Sequence, residues 1–429
     1  MTSLREWMQR SALARNTLWM FLGQGLRLIV QGGSFVLIAR SLGAEGYGAF
    51  VGAVSLVAIV APFSTMGFGN LLIKNVSRDQ KLFPQYWGNA LLMTATSGVV
   101  LLGLVSALAR FLLPASIPMT LVLLVAFSDL LAARFTDVAA LAFQGLEQMK
   151  WTAKINVLLS VVRLAAAALA IGVCKHPSAS QWSAFYCGSS AIAAVLAVTI
   201  VSVRLGTPRI AWSRILPELA EGFHFSAGSS AQTVYNDIDK AMLSRFSDLG
   251  STGIYAAAYR LIDVAFVPIR SLLFAASPGC FRAGGAGVNS SVAYMRRLLP
   301  KAAAYSALIF ITLVLGAPVV PKILGPEYER AVDAIRWLAM LPALRTVQLC
   351  FADALSGAGY QGLRMTIQAV VAGFNVIINL WLIPAYSWRG AVYSSLASDF
   401  LLLILVILAA TMLCSRENKN ATVAAVTYP

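Results

Sequence analysis

Charge is scarce in this sequence. Asp, Glu, Lys and Arg together make up 12% of its 429 residues, against about a quarter in soluble globular chains. Acidic charge is scarcer still, with 18 residues against 33 basic ones, and the two histidines, His176 and His224, lie far apart. With no HExxH and no clustered pair, metal-dependent hydrolysis has no ligands to work with. Cysteine is sparse and scattered. Cys174, Cys187, Cys280, Cys350 and Cys414 show no CxxC spacing, which argues against a disulfide framework or zinc site and for buried thiols. No polar stretch is long enough for a soluble domain, so the formal charge of +15 has no soluble basic face on which to meet nucleic acid.

What the chain has in abundance is apolar residues, 59% of the total with a mean hydropathy of +0.75. Apolar runs of roughly 18 to 25 residues, enough to cross about 30 Å of hydrocarbon as helix, recur from near Thr17 to Cys414. The expected fold is therefore an all-α polytopic membrane protein. Its roughly twelve transmembrane helices are expected near 17–39, 49–72, 86–108, 119–142, 155–173, 182–203, 222–246, 254–278, 302–320, 331–355, 365–383 and 391–414. The first run is too long for a signal-peptide core and lacks a small-x-small cleavage site, so it reads as a retained helix.

Basic residues sort by side on this map. With the N-terminus cytoplasmic, inside loops carry about 18 Lys/Arg and outside loops about 6. Both termini are then cytoplasmic. The expected organisation is an N-terminal six-helix lobe over 1–203, a cytoplasmic linker over 204–221, a C-terminal six-helix lobe over 222–414 and a cytoplasmic tail over 415–429.

The chain also repeats itself. Residues 41–63, SLGAEGYGAFVGAVSLVAIVAPF, align without gaps on 248–270, DLGSTGIYAAAYRLIDVAFVPIR, and keep Leu42/Leu249, Gly43/Gly250, Gly46/Gly253 and Ala49/Ala256. Six helices per half start both halves on the same side, so the pseudo-repeat is parallel, about an axis along the membrane normal. Two facing bundles around a cavity suit alternating access. GAGYQG, Gly357–Gly362, matches GxGxxG but follows a hydrophobic helix with no strand before it, and RAGGAGVNSS from Arg282 lacks the GK[ST] of a phosphate loop. Both read as turns, and no cofactor is expected.

The unusual feature is charge inside the spans. Arg27 lies near the middle of the first helix with Gln24 and Gln31 on its face. Asp129 and Asp137 share a face of the fourth helix with Arg134 nearby, and Asn156, Ser160 and Arg163 line one face of the fifth. Arg260, Asp263 and Arg270 fall on one face of the eighth helix, where the repeat places Ala53 and Leu56 opposite Arg260 and Asp263. In QTVYNDIDKAMLSRF, Asp237 and Lys240 can pair at i, i+3 beside a polar stripe of Gln232, Asn236 and Asp239. A charge at a helix centre costs at least about 2.5–3.5 kcal/mol, so each needs a partner or a hydrated interior. Arg27, Arg163 and Arg345 have no acid within one turn of their own helix. Taken with the excess of basic over acidic residues, this points to a cationic lumen suited to an anionic guest. Asn375 and Asn379, one turn apart, are expected to bond a neighbouring helix.

SLGAEGYGAF, YNDIDKAMLSRF…GIYAAAYRLID, ILGPEYERA and NVIINLWLIPAYSWRGA, in this order, resemble the successive signatures of Wzx-type polysaccharide flippases of the multidrug/oligosaccharidyl-lipid/polysaccharide exporter superfamily. The resemblance implies a non-enzymatic inner-membrane protein moving undecaprenyl-diphosphate-linked oligosaccharide units from the cytoplasmic to the periplasmic leaflet, for O-antigen, capsule or exopolysaccharide. It also implies membrane lipid, a polymerase and a chain-length regulator as partners. The diphosphate matches the cationic lumen, where Arg offers planar forks to phosphate oxygens. Candidate lumen residues are Gln24, Arg27, Gln31, Arg134, Arg163, Asn236, Asp239, Lys240, Arg260, Asp263, Arg270 and Arg345. Two rivals stand beside this reading. A cation-coupled drug antiporter of the same superfamily would favour acids over bases in the lumen, and a membrane polymerase or glycosyltransferase would need large outside loops, which are short here.

Overall fold

The computed structural model describes residues 12–427. The first eleven residues of the lobe expected over 1–203, the expected cytoplasmic N-terminus among them, and the last two of the tail expected over 415–429 lie outside them. Helices follow one another along the described chain: α1 Ala12–Val60, α2 Phe68–Val76, α3 Phe83–Leu112, α4 Met119–Gly145, α5 Met149–Cys174, α6 Ala179–Leu205, α7 Trp212–Phe246, α8 Leu249–Gly284, α9 Val288–Gly316, α10 Ala331–Gly357, α11 Gln361–Tyr386 and α12 Trp388–Thr427. Nine stretches among the described residues are long and apolar enough to cross a membrane. α7, with Asp237, Asp239 and Lys240 in its C-terminal part, is not among them. The surface has the polarity of a lipid-facing protein: Ile29, Val203 and Phe274 expose 75%, 80% and 82% of their area.

The chain forms two compact units, one up to Arg245 and one from Phe246. In the first, Phe68, Leu71, Leu72, Trp87 and Phe143 are fully buried in a core shared by α2, α3 and α4, joined by Ile155 of α5 and Val201 of α6. Helix α7, which the hydropathy pattern assigns to the second half, packs within this unit. Its Ser226 and Ser230 hydroxyls donate to the carbonyls of Pro62 (2.9 Å) and Ile59 (2.6 Å). The turn before α2 passes so close to α7 that a Cβ on Gly67, at φ 70°, would strike the Gly222 backbone and one on Gly222 would strike the Met66 carbonyl. The segment before α7 is pinned as well: the Arg209 amide donates to the Pro84 carbonyl at 2.8 Å, and Asn89 exchanges two hydrogen bonds with the Ala211 backbone.

In the second unit, Phe266, Ile269 and Leu273 of α8 pack with Met295 and Ile309 of α9 and with Cys280, Cys350 and Ala354. Of the glycines in the GxGxxG match, Gly357 ends α10, Gly359 lies in the turn at φ 88° and Gly362 lies in the first turn of α11, with no strand before them. The expected tail from 415 continues α12 as helix through Thr427. At the repeat, the matching residues build different local structures. Gly43, at φ 69° and ψ 177°, is non-helical and divides α1 into two helical segments at a kink. Gly250 lies inside α8, whose start is capped by Asp248, the repeat equivalent of Ser41. Ser41 donates instead to the carbonyl of Ile38, back in the preceding turn.

Candidate functional site

Polar side chains gather in separate places within each unit. In the first, α4 contains one π-helical turn over Ser128–Ala132, a local widening that shifts the helix face by about one residue, or about 100°. The face that Asp129 and Asp137 were expected to share is split by it. Asp129 turns to Arg163 on α5, at 3.0 Å, and accepts a 2.8 Å hydrogen bond from the Tyr186 hydroxyl on α6. The guanidinium also donates to Ser190 (3.0 Å) and lies 4.0 Å from the centre of the Tyr186 ring. Asp137 pairs with Arg134 at 3.1 Å, one turn away on its own helix.

This corrects the expectation for Arg163. Its acid comes from another helix, which a search along α5 alone could not reveal. Arg345 of the second unit needs the same correction. It holds Asp399 of α12 at 3.0 Å and Asp263 of α8 at 3.6 Å, and donates to the Tyr259 hydroxyl. Arg364 pairs with Asp353 at 2.9 Å. Of the basic residues singled out inside the spans, Arg134, Arg163, Lys240 and Arg345 therefore have a carboxylate within 4 Å. Such pairs offset much of the cost of a charge in a poorly hydrated interior.

The Gln232–Phe246 stretch is helical throughout. Lys240 reaches Asp237 at 2.6 Å and the Asn236 carbonyl at 2.9 Å, so the i, i+3 pair forms. Asp239 and Lys240 are buried, while Gln232 and Asn236 are exposed, so the stripe passes from surface to interior along α7. On α1, Gln24 is exposed, and Arg27 and Gln31 are half-buried. Arg27 has no ion pair or hydrogen bond among the described residues. Arg270 is exposed with its guanidinium 5.6 Å from the Phe266 ring centre, and Arg260 is half-buried one turn before Asp263. Asn375 donates to Ser398 of α12 (3.0 Å), Asn379 donates to Asn375 (3.0 Å) and Ser394 donates to Asn379, joining α11 to α12 as expected.

A polar cavity of about 390 Å³ opens within the first unit between the turn before α2, α4, α5 and α7. Arg134 and Asp137 are its only charged lining residues. Of the candidates read from the sequence, Arg134 alone lines it; Arg163 and the α7 stripe lie elsewhere. Sequence reasoning passed over Asn70 and Gln144, which also line it, because single amides near helix ends carry no pattern. It also missed Tyr186, Tyr259 and Asp399. Asp399 was legible as a lone acid well inside the last apolar run.

Comparison with known proteins now decides the family. The chain matches the polysaccharide biosynthesis protein family over residues 13–278. It belongs to that family. This bears out the resemblance to Wzx-type polysaccharide flippases. A protein of Escherichia coli (strain K12) named "Putative O-antigen transporter" is 22% identical over 341 residues, 78% of this chain and 80% of that protein. Among solved structures, an inward-facing multidrug resistance MATE family transporter of the MOP superfamily aligns with a TM-score of 0.73 at 15% identity, covering 91% of this chain and 96% of that one. The lipid II flippase MurJ in an inward closed conformation aligns at 0.71 and 10% identity, covering 92% and 87%. At such identities these likenesses establish the fold alone, an all-helical arrangement like that of those two membrane proteins.

Proposed function

We propose that this protein is an inner-membrane flippase carrying undecaprenyl-diphosphate-linked oligosaccharide repeat units from the cytoplasmic to the periplasmic leaflet for surface polysaccharide synthesis. The family match over 13–278 carries the reading, and the "Putative O-antigen transporter" of E. coli supports it. Of the candidate lumen residues, Arg27 and Arg270 suit a diphosphate best, because neither has a carboxylate within 4 Å among the described residues. A guanidinium without a protein anion can give its planar fork to phosphate oxygens. Both termini face the cytoplasm on the distribution of basic residues, and a polymerase and chain-length regulator of the same pathway would act on the product.

A second reading, a cation-coupled drug antiporter, is favoured by the two carboxylates gathered on Arg345 and by the likeness to MATE transporters. A deletion strain separates the two. As a flippase mutant it should accumulate lipid-linked repeat units on the inner leaflet and lose surface polymer. Intact polymer with a changed resistance to cationic drugs would favour the antiporter, and unpolymerised units on the outer leaflet would point to a polymerase.

A further inference from the structure

The polar cavity of the first unit is chemically unlike a phosphate site. Its lining presents three side-chain amides, Asn70, Gln144 and Asn156, none of which hydrogen-bonds to another described residue. Its only charges, Arg134 and Asp137, face each other at 3.1 Å and balance formally. Phe225 contributes an aromatic ring with 41% of its area exposed. A phosphate would meet the Asp137 carboxylate, and a drug cation would find no net negative charge to hold it.

A sugar ring fits this set. Each hydroxyl donates and accepts, as each carboxamide does, and adjacent hydroxyls can use both ends of one amide. Asp137 accepts, Arg134 donates, and the C–H face of a pyranose can lie on an aromatic ring. The volume of about 390 Å³ is at the lower end of ligand pockets, about 300–1,000 Å³, so it suits part of an oligosaccharide rather than the whole. The cavity also lies at the basic end of the unit. Gln144 and Thr152 flank the turn before α5, beside Lys150 and Lys154, and the charge rule places this end inside. That is the side from which a flippase would load.

We infer that this cavity is a sugar subsite, binding uncharged hydroxyl-bearing residues of the lipid-linked oligosaccharide at loading, separate from the arginines that meet the diphosphate. The inference rests on the flippase reading. It is tested by expressing full-length Gln144→Leu/Asn156→Leu in the deletion strain and measuring protein abundance, surface polymer and inner-leaflet lipid-linked units. Expected are normal abundance, at least a tenfold loss of polymer, and accumulation of lipid-linked units as in the deletion. Full export by an abundant double variant would overturn the subsite while leaving the flippase reading intact. If the double variant is depleted, Ser229→Trp decides, since it fills the same cavity from an exposed position on α7. Loss of export by an abundant Ser229→Trp protein supports the subsite, and full export sinks it. A deletion strain that accumulates no lipid-linked units would overturn the flippase reading, and this inference with it.

Discussion

Both units hold an arginine among apolar helices with a carboxylate and a tyrosine, yet the two clusters are not related by the 207-residue repeat. In the first, one arginine, Arg163, meets one acid, and Asp129 keeps Tyr186 and Ser128 as further donors. In the second, Arg345 is shared between Asp399, whose side chain is 2% exposed, and the more open Asp263. The same chemistry was reached twice from unrelated positions. Pairing of intramembrane charge is thus a requirement of the solvent, met by whichever helices pack together, rather than an inherited pattern.

The largest effect should come from breaking that comparison at its more deeply buried member. Arg345→Ala leaves two carboxylates behind and should cost about 3–5 kcal/mol, the usual loss when one partner of a buried pair is removed. Arg163→Ala should cost about 1–3 kcal/mol, because Asp129 is left with neutral donors rather than none. Thermal unfolding of the purified proteins should rank them in this order. Equal midpoints would show that the extra donors of Asp129 contribute nothing, and Arg345→Met with Asp399→Leu should recover most of the loss if the penalty is stranded charge.

A smaller contrast lies within the repeat. The Asp248 carboxylate accepts from the Ser251 amide and hydroxyl, both at 2.6 Å, capping α8, whereas Ser41 caps nothing. Asp248→Ala should cost about 1 kcal/mol and Ser41→Ala less than about 0.5 kcal/mol. Burial pushes the Asp248 carboxyl up, but the bonds from Ser251 and Ser247 outweigh it and hold the group below its usual range. A lowered folded pKa means that the contribution is present above the unfolded value, about 3.9, and is lost as pH falls through the folded one. The gap between wild type and Asp248→Ala should therefore close in acid. A gap independent of pH would show that the cap acts without its charge.

The smallest effect on stability, and a large one on export, is expected at Arg27. With no ion pair or hydrogen bond among the described residues to lose, Arg27→Ala should change stability by less than about 0.5 kcal/mol. Export should nevertheless be abolished, and Arg27→Lys should retain part of it by keeping the charge without the fork. A stable, fully exporting Arg27→Gln protein would remove this residue from the site.

Hydropathy alone determined that this is a helical membrane protein, because in hydrocarbon a backbone must satisfy its own hydrogen bonds and run length then reports the helices. Local spacing sufficed for the Asp237–Lys240 pair, whose members lie one turn apart on a single helix, and the amides Asn375 and Asn379 announced bonds to a neighbouring helix without naming it. Whatever depends on which helices meet was not legible. The π turn of α4 rotated Asp129 away from Asp137, and Arg163 and Arg345 found their acids on other helices. Serine-to-carbonyl bonds and facing glycines drew α7 into the first unit, and three amides with no shared sequence pattern came together around one cavity. A helical period places side chains on a face, but only the packing of that face against another decides which charge, donor or void it meets.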